Sequence, residues 1–264
     1  MSFIEALILG VVQGLTEFLP VSSSAHLVIV PDLLGWELPS TSFDIVLHLG
    51  TMVAVLMYFW RDIVQIAAAF FQKGERAVRR RRLGILIILG SIPAALLGGL
   101  FEKKFEEMFS DAAQVAVFLI VTGIILIAAE AVARRTRHIN DLKVSDSLLI
   151  GFAQAVAIAP GISRSGSTIS MGLFLGLTRE AAARFSFLLS IPVIAGAALF
   201  KLRHGFEGNS GEGSMTLIVG FLAAALSGFA AVKFLLGYVR QHNLRIFALY
   251  CWVAGGGVLL LKML

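Results

Sequence analysis

The stretch QGLTEFLPVSSSAH, residues 13–26, places a glutamine, a glutamate, three serines and a histidine in an otherwise apolar N-terminal segment. Pro20 lies in its middle, and a proline inside a helix removes a backbone hydrogen bond and breaks or kinks the helix. A charged side chain at the centre of a bilayer costs about 2.5–3.5 kcal/mol on insertion scales. A helix that breaks here, with its polar face turned away from lipid, accounts for both features.

The composition of the whole chain predicts a membrane protein. Its 264 residues are 58% hydrophobic and 15% charged, whereas a soluble domain carries about a quarter charged residues. Six apolar runs approach or exceed the ~17–25 residues that a membrane-spanning helix needs. They are Phe43–Trp60, Leu83–Phe101, Ala112–Ala133, Ala181–Phe200, Thr216–Val239 and Ile246–Leu261. We therefore expect an all-α polytopic membrane protein with about six full transmembrane helices.

The N-terminus and the lone cysteine add two smaller expectations. Residues 1–20 contain no lysine or arginine and lead into polar residues instead of a small-residue cleavage site, so no cleavable signal peptide is expected. Cys251 lies in an apolar run and has no second cysteine with which to form a disulfide, so we expect it to be a packing residue.

The basic residues predict topology. The net charge of +5 comes from residues in the connections between apolar runs, where positive charge marks the cytoplasmic side, so no nucleic-acid partner is expected. The basic connections 61–83, 134–145 and 240–245 are placed in the cytoplasm. The acidic or mixed connections 102–111 and 201–215 are placed outside.

This alternation leaves two segments that start and end on the same side. Residues 145 and 179 are both inside, and residue 41 must be outside for the first long span to run inward. The 33 residues of segment 146–178 are short for two spans of ~20 residues each plus a turn. We expect two re-entrant hairpins, each a broken helix that enters the membrane and returns.

The two segments also resemble each other. GVVQGLTEFLPVSSS (10–24) aligns with GFAQAVAIAPGISRS (151–165) through a glycine, a glutamine, a proline and a serine tract. So short a match can arise by chance, but it agrees with the charge pattern. It predicts one integral-membrane domain, 1–264, with halves of about 1–135 and 146–264 in inverted topology, a pattern that places a site where two broken helices meet near the midplane.

Opposite charges lie in the two hairpins. Gln13 and Glu17 are four residues apart and project from one face of a helix, and Arg164 lies in the other hairpin. Their membrane cost becomes tolerable if the hairpins meet and the charges pair or line a wet cavity. The alternative is a purely structural ion pair that pins the two halves together.

The residues after each proline are suited to an anion. Pro20 and Pro160 are expected to end the first half-helices, and serine tracts then open the second ones. Serine is a favoured N-cap, and a helix N-terminus binds anions through its free N–H groups. Gly161 and Gly166 allow close backbone approach, and the planar fork of Arg164 matches phosphate oxygens. The alternative is that these are ordinary helix starts.

The first hairpin also carries candidates for chemistry. Ser23 can serve as a nucleophile, with Glu17 or His26 taking its proton. Alternatively, Glu17 together with Gln13 can hold a hard divalent cation, Mg²⁺ or Ca²⁺, against a phosphate.

Other polar side chains are expected to lie outside the site. The remaining histidines are read as hydrogen-bonded bystanders: His48, His138, His204 and His242. Asp44 and Glu130 lie near predicted membrane borders and are expected to be solvated helix ends, although Asp44 adjoins the exit of the first hairpin. Arg79–Arg82 are expected to set topology and to meet anionic lipid headgroups.

The motifs of the two hairpins resemble those of a known family. GVVQGLTEFLPVSSSAHL (10–27), with its (E/Q)xxxE element at Gln13–Glu17, resembles the signature of bacterial undecaprenyl-diphosphate phosphatases of the bacitracin-resistance type. PGISRSGSTIS (160–170) resembles that family's second signature, PGxSRSxxT. The resemblance extends over essentially the whole chain in segment order and spacing.

The resemblance implies an activity and a location. The expected reaction is hydrolysis of the lipid carrier undecaprenyl diphosphate to undecaprenyl phosphate and inorganic phosphate, which recycles the carrier for cell-wall synthesis and confers bacitracin resistance. It also implies a divalent cation, a place in the bacterial inner membrane among membrane lipids, and a site open to the periplasmic side. Whether the protein forms a homodimer stays open at the level of sequence.

The resemblance also implies roles for individual residues. The catalytic group is Glu17, Ser23, His26 and Arg164. The substrate-binding group is Gln13, Ser22, Ser24, Gly161, Ser163, Ser165 and Thr168. The metal ligands are Glu17 and Gln13, where glutamine stands at a position at which many members have glutamate, so Glu17 is expected to be the indispensable carboxylate.

Several alternatives stay open at the level of sequence. Ser23 can form a phosphoserine or only orient an attacking water. A secondary transporter or lipid flippase is the rival function, because inverted repeats of broken helices are common in transporters. A purely structural membrane scaffold has no use for a glutamate and an arginine at the midplane.

Overall fold

The computed structural model describes residues 1–107, 111–205 and 213–263. Within these ranges the chain is helical, with ten α-helices, one short 3-10 helix at Ile139–Asp141 and no β-strand. The α-helices are α1 Phe3–Phe18, α2 Ser23–Leu34, α3 Thr41–Ala69, α4 Glu75–Glu107, α5 Ala112–Val132, α6 Val144–Val156, α7 Arg164–Phe174, α8 Arg179–Gly205, α9 Ser214–Tyr238 and α10 Arg245–Met263.

Six of these helices are long and apolar enough to cross a membrane, as predicted. They are α3, α4, α5, α8, α9 and α10, and they make the chain a multi-pass membrane protein. Parts of the two expected outer connections, residues 108–110 and 206–212, lie outside the described ranges.

The expected connection at 61–83 is wrong in extent. Helix α3 continues to Ala69 and α4 begins at Glu75, so only residues 70–74 are non-helical. Arginine is a good helix former, and the run of positive charge therefore extends the helices beyond the apolar core. The turn instead falls at Gly74, whose φ of +106° lies in the left-handed region that favours glycine.

The four remaining α-helices form two pairs, each divided by a short non-helical segment. We call residues 19–22, between α1 and α2, the first break, and residues 157–163, between α6 and α7, the second break. Helix α1 ends at Phe18 because the residue before Pro20 is disfavoured in helical conformation. Helix α6 ends four residues before Pro160, at Val156, and turns connect the two.

Each pair's first helix packs closely against a long helix of the opposite half of the sequence. Helix α1 lies along α9, where a Cβ on Gly10 would stand 2.6 Å from the carbonyl oxygen of Gly220. Helix α6 lies along α4, where a Cβ on Gly151 would stand 2.2 Å from the carbonyl oxygen of Gly90. Small residues at membrane helix interfaces permit such close backbone contact.

A cluster of aromatic rings lies next to the first break. Phe18, the last residue of α1, packs edge-on against Phe187 of α8 with ring centroids 5.3 Å apart, and Phe59 of α3 joins at 6.5 Å from Phe187. All three side chains are fully buried. This apolar support fixes the end of α1 and thereby the position of Glu17, one residue earlier. Cys251 is also fully buried, as expected of a packing residue.

The expectation that Glu130 is a solvated helix end is wrong. Its carboxylate is buried and accepts hydrogen bonds from Arg179 at 2.7 and 2.6 Å and from the backbone N–H of Leu244 at 3.0 Å. The start of α8 and the turn before α10 therefore both depend on this carboxylate. The sequence did not indicate this role, because Glu130 lies in an apolar segment and both Arg179 and Leu244 lie far from it along the chain.

Candidate active site

Glu17 is the centre of the candidate site. One carboxylate oxygen, Oε2, accepts hydrogen bonds from Gln13 Nε2 at 3.1 Å and from Ser23 Oγ at 2.6 Å. The other, Oε1, accepts from Arg164 Nη2 at 2.7 Å. The predicted helix face of Gln13 and Glu17 is thus present, and the tertiary structure brings Ser23 and Arg164 to it.

The charges of this pair are largely withdrawn from solvent. The side chain of Glu17 is 6% exposed and that of Arg164 is 15% exposed. Removing one partner of a buried ion pair leaves an uncompensated charge, which costs about 3–5 kcal/mol. Arg164 also reaches the backbone carbonyl of Ser186 through Nη1 at 3.4 Å, so its guanidinium is oriented from two sides.

The serines after the second break form a second polar layer. Ser163 caps α7 by accepting from the N–H of Gly166 at 3.0 Å, and its Oγ lies 3.1 Å from Ser165 Oγ. Ser165 in turn donates to the carbonyl of Leu19 in the first break at 2.9 Å. This hydrogen bond joins the start of α7 to the first break. The hydroxyl that makes it belongs to Ser165, which the family resemblance assigns to the substrate-binding group.

A second link between the breaks involves Ser24 and Gly161. Ser24 Oγ accepts from the N–H of Gly161 at 3.3 Å and lies 3.1 Å from Ser22 Oγ. Gly161 has a φ of +96°, and a Cβ there would stand 2.4 Å from the carbonyl oxygen of Val115. Only glycine fits this position, because any side chain would clash with the backbone of α5 as well as strain its own.

Ser22 holds a backbone conformation that is unusual for its residue type. Its φ of +66° lies in the left-handed region although it has a side chain, which costs of order 1–3 kcal/mol and is found most often at functional sites. Ser22 Oγ caps α2 by accepting from the N–H of Ala25 at 3.4 Å. The first break thus turns sharply and directs Ser23, the next residue, to Glu17.

Thr168 and His26 lie farther from the carboxylate. Thr168 Oγ1 is 2.8 Å from the carbonyl oxygen of Arg164 and 2.6 Å from Ser186 Oγ. His26 is buried, and its ring contacts the carbonyl of Ser22 through Nδ1 at 2.7 Å and the hydroxyl of Tyr250 through Nε2 at 2.6 Å. The hydrogen bonds of the imidazole therefore go to these two groups, whereas the hydroxyl of Ser23 goes to Glu17.

The structure adds residues to the candidate site that the sequence did not assign to it. His48 was expected to be a bystander, yet its Nε2 lies 3.8 Å from Glu17 Oε2 and its Nδ1 lies 2.8 Å from the carbonyl of Asp44. The i,i+4 spacing of Asp44 and His48, next to the first hairpin's exit, was the available signal. Tyr250 and Ser186 carried no comparable signal, because each lies within an apolar helix far along the chain.

The other histidines lie away from the site. His138 donates its backbone N–H to Asp141, and His242 stacks on Tyr238 with ring centroids 4.6 Å apart. The side chain of His204 is outside the described part of the chain.

The donor set around Glu17 fits a hard divalent cation. Residues 1–107, 111–205 and 213–263 contain no cluster of three or more His, Cys, Asp or Glu side chains suited to a metal. However, Gln13 Oε1 is buried without a hydrogen-bond partner, on an amide whose Nε2 donates to the carboxylate of Glu17. Mg²⁺ is typically held by one or two protein oxygens together with substrate phosphates, and an unpaired amide oxygen next to a carboxylate supplies such ligands.

The arrangement has the parts needed for transfer of a phosphoryl group. A serine hydroxyl donates to a buried carboxylate, an arginine fork lies on the same carboxylate, and two helix N-termini open from the adjacent breaks. Phosphoryl transfer depends mainly on positioning and on stabilising negative charge. An ion pair that only pins the two halves would leave the aligned serine unexplained.

Comparison with known proteins agrees with this chemistry. The family model described as bacitracin resistance protein BacA matches residues 6–257. Relatives named undecaprenyl-diphosphatase include that of Pelobacter propionicus, 45% identical over 264 residues, covering 98% of this chain and 96% of the relative. That of Syntrophotalea carbinolica is 46% identical over 257 residues, covering 97% of each, and that of Methanobrevibacter smithii is 43% identical over 267 residues, covering 97% and 96%. With its motifs on two meeting helix breaks and a family match across nearly its full length, the chain belongs to the bacitracin resistance protein BacA family.

Proposed function

We propose that this protein is an undecaprenyl-diphosphatase, which hydrolyses undecaprenyl diphosphate to undecaprenyl phosphate and inorganic phosphate. The activity recycles the lipid carrier for cell-wall synthesis and thereby confers resistance to bacitracin. The observation that carries the proposal is the contact of Ser23, Glu17 and Arg164 at the meeting point of the two breaks. The full-length relatives that bear this name support it.

The diphosphate is bound by positive charge and backbone donors. Arg164 presents a planar fork to the phosphate oxygens. The N-termini of α2 and α7, which begin at Ser23 and Arg164, add N–H groups and the positive ends of their helix dipoles. Ser22, Ser24, Ser163, Ser165 and Thr168 supply further hydroxyls around this pocket.

Ser23 and Glu17 carry the chemical step. The hydroxyl of Ser23 gives its proton to Glu17 Oε2, 2.6 Å away, while its oxygen bonds to the terminal phosphorus. The anhydride bond breaks and undecaprenyl phosphate leaves, and water then releases the phosphate from Ser23. In the alternative route, Ser23 and Glu17 orient a water that attacks the phosphorus directly.

A divalent cation, Mg²⁺ or Ca²⁺, fits the site beside Glu17. Glu17 and the unpaired Oε1 of Gln13 would hold it. Its contribution is to neutralise charge on the phosphate oxygens, which lowers the cost of bringing an anionic substrate to a buried carboxylate.

The helix pairs are re-entrant hairpins of an inverted repeat. At 1.5 Å per residue, α1, α2, α6 and α7 are about 24, 18, 20 and 17 Å long, less than the ~30 Å of bilayer hydrocarbon. The aligned glycines, Gly10 and Gly151, each contact a glycine in the fourth helix of the other half. Two hairpins that enter from opposite sides and touch through Ser24 and Gly161 must meet inside the membrane.

The protein lies in the bacterial inner membrane with its site open to the periplasm. The charge pattern places the connection before α3 outside, so the first hairpin enters the membrane from that side. The polyprenyl tail leaves sideways between helices into lipid. Glu17, Ser23 and Arg164 come from a single chain, so a homodimer is not needed to bring them together.

Phosphate release from purified protein tests the proposal. Detergent-solubilised wild type with undecaprenyl diphosphate and Mg²⁺ or Ca²⁺ should release inorganic phosphate, whereas a transporter alone has no membrane to cross and releases none. Glu17→Gln and Arg164→Ala should each lower kcat/KM by about 100-fold or more, as is usual for loss of a catalytic or charge-stabilising group.

Arg79→Ala serves as a matched charge-removal control, because that side chain lies on α4 in an exposed pair with Glu75. It should leave kcat/KM unchanged. Near wild-type release by Glu17→Gln or Arg164→Ala would contradict the assignment.

A further inference from the structure

His26 makes two hydrogen bonds that together specify the tautomer of its neutral ring. Its Nδ1 faces the carbonyl oxygen of Ser22 at 2.7 Å, and a carbonyl can only accept, so Nδ1 carries the proton. In a neutral imidazole Nε2 is then an acceptor, and the hydroxyl of Tyr250 donates to it at 2.6 Å. The two rings lie nearly parallel, at an angle of 10°.

This contact joins the first break to the last helix of the protein. Tyr250 and its neighbour Cys251 both lie on α10, and Cys251 Sγ donates to the carbonyl of Pro20 at 3.7 Å. Two consecutive residues of α10 therefore contact the chain on both sides of Ser22: Cys251 contacts Pro20 before it, and Tyr250 contacts His26 after it.

The second break is held in a corresponding way by α5. Thr122 donates to the carbonyl of Gly161 at 3.2 Å and accepts from the N–H of Ser163 at 3.0 Å. The last helix of each half therefore makes hydrogen bonds to the break of the other half. In both cases the contact is made by a polar side chain within an apolar helix.

Ser22 is the residue whose conformation these contacts with α10 support. Its left-handed backbone persists only where surrounding contacts determine it, and its carbonyl accepts from both the ring and, at 3.4 Å, the backbone N–H of His26. Ser23 follows directly and must point to Glu17 for its 2.6 Å hydrogen bond. The orientation of the serine is therefore linked to the orientation of His26.

We propose that Tyr250 is a positioning residue of the site: its hydroxyl fixes His26 in the Nδ1–H form, and His26 holds the Ser22 turn that aims Ser23 at Glu17. This role rests on the proposed phosphatase function. It makes His26 a support for the nucleophile's turn and assigns the proton of Ser23 to Glu17, to which that proton already points. If His26 were instead the base, the hydroxyl of Tyr250 would block its only acceptor nitrogen.

Tyr250→Phe isolates the hydroxyl, because it keeps the ring and its packing. Purified wild type and variant are compared for phosphate release from undecaprenyl diphosphate and for thermal unfolding in the same detergent. We expect kcat to fall about 10- to 100-fold, as for a misplaced reacting group, with little change in KM and no loss of thermal stability. Tyr238→Phe is the matched control, since Tyr238 stacks on His242 away from the site, and it should retain wild-type kcat.

His26→Asn and His26→Ala separate support from base catalysis. The asparagine amide nitrogen occupies nearly the place of Nδ1 and can donate to the Ser22 carbonyl, but it cannot accept a proton as a base. We expect His26→Asn to retain at least about tenfold more kcat than His26→Ala, the ratio that one neutral hydrogen bond of about 1.4 kcal/mol provides.

The outcomes are distinct. A wild-type kcat in Tyr250→Phe, or His26→Asn as inactive as His26→Ala, overturns the positioning role while wild-type phosphate release still stands. Absence of phosphate release from wild type would instead overturn the proposed function.

Discussion

Glu17 combines three donors from three different parts of the chain on one buried carboxylate. Gln13 comes from the preceding helical turn, Ser23 from the start of the next helix, and Arg164 from the other half of the protein. Each contact is polar and withdrawn from lipid, so the cost of burying the charge is offset by pairing. Because Ser23 Oγ already donates to Glu17, the geometry favours attack by the serine itself.

A single-turnover experiment tests this at the level of the residue. With enzyme in excess over undecaprenyl diphosphate labelled in its terminal phosphate, acid quenching should trap label on Ser23 before free phosphate accumulates. Ser23→Ala should trap none and should lose at least about 100-fold in rate, as for loss of a nucleophile. Phosphate release at the wild-type rate with no labelled intermediate would favour direct attack by water.

At the scale of helices, close glycine contacts set how the pairs are seated. Gly151 on α6 faces the backbone of Gly90 on α4, just as Gly10 on α1 faces Gly220 on α9. A side chain at either contact would push two helices apart, because the facing atoms are backbone and cannot rotate away. The position of each break along the membrane depends on these contacts, since they lie in the helix that leads into it.

Gly151→Ala should therefore destabilise the protein. The added Cβ would stand 2.2 Å from the Gly90 carbonyl oxygen, and overpacking of this kind costs about 1–3 kcal/mol. Thermal unfolding in detergent should show a lower Tm and reduced phosphate release. Gly256→Ala is the control, because a Cβ there meets no atom within 4 Å; it should keep the wild-type Tm, and equal Tm values for the two variants would contradict the packing argument.

For the whole molecule, the two halves complete each other's site. The first helix pair supplies the carboxylate and the serine, the second pair supplies the arginine, and the last helix of each half contacts the break of the other half. In the proposed inverted arrangement, hairpins that enter from opposite faces can meet at this site.

Cysteine labelling tests this topology. In a Cys251→Ser background, new cysteines at Ser2 and Glu37 should react with a membrane-impermeant thiol reagent on intact cells, because we propose that the first hairpin begins and ends outside. A cysteine at Asn140 should react only after permeabilisation, since the 134–145 connection is basic and placed inside. All three positions are exposed in the fold. Labelling of Ser2 and Glu37 from opposite sides would contradict a re-entrant first hairpin.

Much of this fold was predictable because the insertion of a helix into a membrane depends on local properties of the sequence. Apolar length determined the six long helices, and the prolines and serine tracts indicated where two shorter helices are interrupted. The same motifs contained Glu17, Ser23 and Arg164, which the structure brings together. The extent of the connection between α3 and α4 was less predictable, because charged residues continue a helix as readily as they mark a membrane border.

Tertiary structure alone decided which distant groups meet. Apolar helices hide the polar partners they contribute, so the sequence did not indicate that Tyr250 would reach His26 or that Glu130 would be buried against Arg179. The sequence by itself determined the helices, their interruptions and the chemistry they carry. The site itself was decided by contacts between residues more than a hundred positions apart in the sequence, because only helix packing brings the two breaks together.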